Sequence, residues 1–288
     1  MAITAEQVKA LRDRTGAGMM DCKTALTEAG GDMEQAIDIL RKKGLAQAQK
    51  KAGRSTNEGL IASLVTNEAR VGVLVEVNCE SDFVARTDDF QALMRDTAAA
   101  VAAAGPAAND AWLKDPHGPV QPLVAAAIGK LGENMAVSRF VRFETATGHI
   151  GQYIHLGGKL GVMVEVEGGD ASVYAKDEFR TLVKEVAMQV AAASPVYASR
   201  DEVPADVLER EKDIYRAQMA DQNKPANVVE KIIEGKLGAF YQQVVLPDQA
   251  SIRDPKMTVA QVVAAASKSI GADIRVKRFA RIKVGETA

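Results

Sequence analysis

The sequence predicts an α+β fold: an N-terminal module of three short helices, a core built from one unit used twice with small antiparallel sheets, and an inserted antiparallel helical hairpin. Three observations carry this. Residues 70–104 and 159–193, "RVGVLVEVNCESDFVARTDDFQALMRDTAAAVAAA" against "KLGVMVEVEGGDASVYAKDEFRTLVKEVAMQVAAA", are identical at fourteen of thirty-five positions at a constant offset of 89. Residues 120–143 and 259–282 agree at ten of twenty-four positions, at an offset of 139. The offsets differ by fifty, so the second copy holds fifty extra residues between 194 and 258. A repeat at fixed spacing constrains the fold before any single element is assigned.

The first module comes from residues 1–44. Thr4 with Gln7 forms a capping box, and Val8 and Leu11 give that helix one apolar face. "TGAG" (15–18) interrupts the pattern, Met19 to Ala29 makes a second helix ended by Gly30, and Asp32 caps a third. The third carries Met33, Ala36, Ile37 and Leu40 on one stripe and is expected to stop at Gly44. Residues 45–57 are polar and basic, and read as a helical or flexible linker.

Each copy then reads strand, strand, helix, helix, strand. The strands are "LIASLV", "VGVLVEV" and "MAVSRFVRF", then "HIGQYIH", "LGVMVEV" and "IRVKRFARI". The short gap between the first two strands of a copy predicts an antiparallel hairpin. Phe90 with Leu93, and Phe179 with Leu182, mark the buried faces of the first helix in each copy. In the insert, Val207, Leu208, Ile214 and Tyr215, then Val229, Ile233, Leu237, Phe240 and Val244, form two stripes at helical spacing across a "DQNKP" turn. A narrow stripe of this kind describes a coiled-coil-like arm. The expected division is 1–54 for the module and linker, 55–146 for the first copy, 147–200 with 246–282 for the second, 201–245 for the hairpin and 283–288 for the tail.

Composition removes several classes. Of 288 residues 47% are hydrophobic and 26% charged, with formal net charge −2, so no global basic field points to nucleic acid. The amphipathic start resembles no signal peptide, and no apolar run is long enough to span a bilayer. Cys22 and Cys79 stand alone, as in a reducing compartment, and a cytoplasmic location is expected.

Catalytic chemistry is not visible. His117, His149 and His155 have no metal spacing, and "HLGGKLG" (155–161) lacks the first Gly and the Ser or Thr of a phosphate loop. "TGAG" follows no strand, and there is no GxSxG. The expectation is a protein that is not an enzyme and holds no cofactor or metal. The basic strand "RVKRFARIKVG" (275–285) reads as a solvated or partner-facing surface.

One stretch resists a purely structural reading. In "CESDFVAR" (79–86) a large ring, Phe83, follows Asp82 just beyond a strand. Structural aromatics recur in both copies, Phe90 as Phe179 and Phe140 as Phe279, but "SDF" (81–83) faces "DAS" (170–172). A symmetric core has no use for Asp82 and Phe83 in one copy alone. They are expected on an exposed loop that presents them to another molecule, since aromatic side chains are the usual interface anchors.

"LRDRTGAGMMDCKTAL" (11–26), "EVNCESDFVAR" (76–86) and "GENMAVSRF" (132–140) resemble the bacterial elongation factor Ts family, over essentially the whole chain. The resemblance implies a guanine-nucleotide exchange factor for elongation factor Tu, with a ubiquitin-associated-like (UBA-like) N-terminal module. It implies that Ser81, Asp82, Phe83 and Val84 reach the partner and dislodge its Mg²⁺, Ser81 standing where the family usually has Thr. It further implies partner contacts at Arg12, Met19, Met20 and His155, with GDP, GTP and Mg²⁺ all held by the partner and no role for nucleic acid or membrane. The alternative is a non-catalytic helical interaction module carried on a scaffold core.

Overall fold

Helices and strands recur at the two offsets that the sequence shows. The structure, a computed structural model, describes residues 3–105, 108–219 and 225–286. In the first copy β1 (Glu58–Thr66), β2 (Val71–Cys79) and β3 (Met135–Glu144) form a three-stranded antiparallel sheet in that order. In the second, β4 (His149–Ile154), β5 (Leu160–Glu167) and β6 (Arg275–Lys283) do the same. Even the irregularity is copied. The register slips between Glu76 and Val77 in β2, and 89 residues later between Glu165 and Val166 in β5.

Three helices precede the sheets: α1 (Ala5–Thr15), α2 (Met19–Glu28) and α3 (Met33–Lys51). The capping box at Thr4 and the Asp32 cap on the Gln35 amide are both formed. Val8, Leu11, Cys22, Ala25, Leu26 and Ala36 make a small apolar cluster of their own.

α3 does not stop at Gly44. It runs on to Lys51 because Gly44 is a packing glycine: it is buried against α7 (Val120–Leu131), and a Cβ there would lie 3.2 Å from the Ala125 carbonyl oxygen. Lys51 Nζ then donates to the Gly132 carbonyl beyond the end of α7 at 2.7 Å. A helix stop and a close helix crossing both call for glycine, and the sequence does not distinguish them.

Helices α5 (Asp88–Ala104) and α9 (Asp177–Ala193) cover their sheets, with Phe90 and Phe179 fully buried at matching places. Two short helices, α4 (Asp82–Ala85) and α8 (Ala171–Tyr174), precede them at the same offset of 89. α6 (Asp110–Lys114) belongs to the first copy, and α12 (Val259–Ile270) repeats α7. Between them the inserted α10 (Ala205–Met219) and α11 (Ala226–Val244) pack together, with Ile233 and Met219 buried and Lys236 Nζ bonded to Gln218 at 2.8 Å. Ile214 departs from the predicted stripe and is 47% exposed, Glu211, Lys212 and Tyr215 being the half-buried positions of that turn. Residues 221–224 of the predicted "DQNKP" turn and the tail residues 287–288 lie outside the described residues.

The copies meet face to face through a shared layer. Ile61, Leu74 and Phe143 of the first sheet interlock with Ile150, Met163 and Ile282 of the second, each being the other's equivalent. The contacts are reciprocal: Ile61 N–H donates to Gly158 O and Ile150 N–H to Ala69 O, both at 2.8 Å. Buried Glu76 binds Arg139, whose guanidinium reaches Lys283 O, and buried Glu165 binds Arg278, whose guanidinium reaches Glu144 O. Each buried carboxylate thus has its partner, as burial of a charge requires.

Candidate functional site: an outward-facing helical turn

β2 ends at Cys79, and the chain must turn back to begin α5. Ser81 opens that turn as the cap of α4, its hydroxyl accepting from Val84 N–H at 3.4 Å, and Thr87 caps α5 on the Phe90 amide. Asp82–Ala85, capped by Ser81, is therefore a one-turn helix and not the exposed loop predicted, because two successive capping residues close successive turns. Its sides differ. Ala85 is buried and Val84 packs on the first core, whereas Phe83 is 78% exposed. Asp82 is half-exposed and accepts from Arg86 Nη2 at 2.8 Å.

The ground beneath the turn is hydrogen-bonded. Glu133, just past the left-handed Gly132 (φ 80°) that caps α7, accepts from Ser81 N–H at 3.0 Å and from Ser81 Oγ–H at 2.7 Å. Glu80 accepts in return from the Asn134 amide, and its carboxyl is held below the usual carboxylate range by that bond and by Arg54. Cys79 Sγ–H donates to Ser81 O at 3.1 Å. Burial, together with Glu133 and Glu58, pushes the Cys79 thiol up to about 11, so it stays protonated and is a weak nucleophile. No sequence pattern marks Glu133 or Asn134 as part of this turn, although both lie in "GENMAVSRF" (132–140).

The other predicted residues lie elsewhere. Arg12 is exposed on the last turn of α1, and Met19 and Met20 are exposed at the start of α2, Met20 at 71%. His155 is exposed just after β4, its Nδ1 3.0 Å from the Tyr153 hydroxyl. No hydrogen bond or ion pair among the described residues links these positions to the Ser81–Val84 turn. Among the described residues no three His, Cys, Asp or Glu could hold a metal ion, and no helix is long and apolar enough to cross a membrane.

A family model described as "Elongation factor TS" matches residues 80–286. Relatives named elongation factor Ts match nearly the whole chain. The protein of Trichlorobacter lovleyi is 48% identical, covering 99% of this chain and 94% of its own. That of Clostridium botulinum is 43% identical (99% and 93%), and that of Aquifex aeolicus 42% identical (99% and 99%).

Proposed function

The chain belongs to the elongation factor Ts family, and from that premise we infer that it binds elongation factor Tu·GDP and hastens GDP release by disturbing the partner's Mg²⁺ site. The observation that carries this reading is Phe83: a large ring 78% exposed on a capped helical turn, at a position where the second copy has Ser172. A ring in that setting does nothing for its own fold and has the form of an interface anchor.

Mg²⁺ bridges and neutralises the phosphate oxygens of a bound nucleotide. Ser81, Asp82, Phe83 and Val84, entering the partner beside that metal, weaken its hold and so the hold on GDP. The coupling is reciprocal: GDP must weaken binding of this chain by the factor by which this chain weakens GDP. Nucleotide and metal are the partner's ligands. Neither nucleic acid nor membrane takes part, and the exchange is a cytoplasmic step.

The three N-terminal helices act in this scheme as a UBA-like docking module, supported by their separate apolar cluster and by the exposure of Arg12, Met19 and Met20. His155 serves as a second contact, and α10 with α11 as an antiparallel coiled-coil arm. The test is release of fluorescent GDP from elongation factor Tu with and without the chain. Equal rates would overturn the reading.

A further inference from the structure

We propose that Glu133 is a positioning residue for Phe83: its carboxylate fixes the amino end of α4 through both donors of Ser81, so that the ring is presented on a rigid turn. The proposal rests on the exchange reading given above. A helix of four residues gains little from its own backbone bonds and leans on its cap, because the first turn fixes several residues for one hydrogen bond. The internal cap is weak here, Ser81 Oγ to Val84 N–H being 3.4 Å, at the limit of a real bond. The two bonds to Glu133, at 2.7 and 3.0 Å, are charge-assisted and shorter.

The duplicated unit supplies a control. α8 repeats α4, but its cap is Asp170, whose own carboxylate accepts from Ser172 N–H at 2.9 Å and Val173 N–H at 3.1 Å. The equivalent of Glu133 there is Ala272, and the equivalent of Glu80 is Gly169. The second copy thus closes its turn with its own cap, and among the described residues no hydrogen bond reaches α8 from the loop after α12. In the first copy the carboxylate stands on the opposite loop, and a reciprocal bond from Asn134 to Glu80 fastens the two loops together. Asn134 also donates to Arg54 O at 2.8 Å, which ties this latch to the segment following α3. The latch and the exposed ring occur together, in one copy only. Fold closure does not require it, since α8 forms without it; an aimed Phe83 does.

Glu133→Gln keeps the size of the side chain but replaces one of the two acceptors with a donor, facing Ser81 N–H or Oγ–H. Three measurements on the full-length protein decide the matter: the thermal melt, amide hydrogen exchange at the hydrogen-bonded amides of residues 84–86 in the free chain, and stopped-flow GDP release over a range of chain concentrations. We expect the melting temperature to move by less than about 3 °C, because the latch holds a surface turn. Exchange of the turn amides should quicken about tenfold, and the limiting rate of GDP release should fall about tenfold. The half-saturating concentration should change less, since docking surfaces elsewhere are untouched.

The pair Ser81→Asp with Glu133→Ala copies the self-capped arrangement of α8 and should restore amide protection. An unchanged limiting rate in Glu133→Gln overturns the proposal, as does a loss accounted for by the unfolded fraction. If the unaltered chain releases no GDP, the exchange reading fails on its own, and amide exchange still decides whether Glu133 holds the turn.

Discussion

Phe83 and Phe90 stand seven residues apart and face opposite ways: the first is 78% exposed, the second has no exposed surface. α4 and α5 meet between them at Thr87, so one ring points outward and the other fills the first core. Truncating a core phenylalanine costs about 3–5 kcal/mol, whereas an exposed side chain costs little. Phe83→Ala should leave the thermal melt nearly unchanged and slow GDP release from elongation factor Tu by about tenfold or more. Phe90→Ala should lower the melting temperature strongly. A large stability loss in Phe83→Ala, with release per folded molecule intact, would make its ring a structural part.

Asp82 is held by Arg86 within a single turn, the carboxylate half-exposed and the guanidinium largely so. A pair of this kind contributes at most about 0.5 kcal/mol. Asp82→Ala should therefore melt almost as the unaltered chain does, while GDP release slows. Arg86→Ala, which frees the carboxylate without removing it, should slow release less; the opposite order would assign the effect to the arginine.

Gly72 and Gly161 lie where the sheets touch, and neither can carry a side chain. A Cβ on Gly72 would come within 2.5 Å of Ile150 and Met163, and one on Gly161 within 2.6 Å of Ile61. Overpacking of this kind costs about 1–3 kcal/mol. Gly72→Ala and Gly161→Ala should each lower stability by that amount in urea titrations. Gly235→Ala, on α11 with nothing within 4 Å of the new methyl, should raise it by up to about 1 kcal/mol.

Alkaline stability should carry the signature of Cys79. Its thiol ionises at about 11 in the folded chain, against an ordinary value of 9.0. The folded form thus binds this proton more tightly than the unfolded form. The resulting stabilisation is complete below pH 9 and is lost as pH rises through 11. Compared with Cys79→Ala, the unaltered chain should lose more stability between those values. Parallel curves would show that the thiol titrates normally.

The repeat makes most of the fold legible, because the second and third strands and the covering helices of each copy recur at a fixed offset in the other. Strand pairing followed from the short gaps at 67–70 and 155–159. What escaped was whatever depends on contacts distant in sequence. Gly44 reads as a helix stop until α7, some eighty residues later, is seen to press on it. Ile214 fits a stripe by spacing, but the neighbouring helix covers a face that Tyr215 and Lys212 share. At the candidate site, the difference between copies singled out Asp82 and Phe83. Glu133 stayed hidden because its counterpart, Ala272, differs from it in a stretch where much else differs too.

The shared layer between the sheets bears on the order in which the chain can be finished on the ribosome. Ile61, Leu74 and Phe143 are complete by the end of β3, yet their partners are Ile150, Met163 and Ile282. Ile282 follows Phe143 by 139 residues, with the whole insert between. As a nascent chain, the first copy can therefore close its own core around Phe90 while one apolar face of its sheet stays bare. That face is covered in part when β5 emerges and fully only with β6. Until then the growing protein carries a sticky surface that chaperones or neighbouring polysomal chains can meet, and an amino-terminal half stalled there is aggregation-prone despite a sound core.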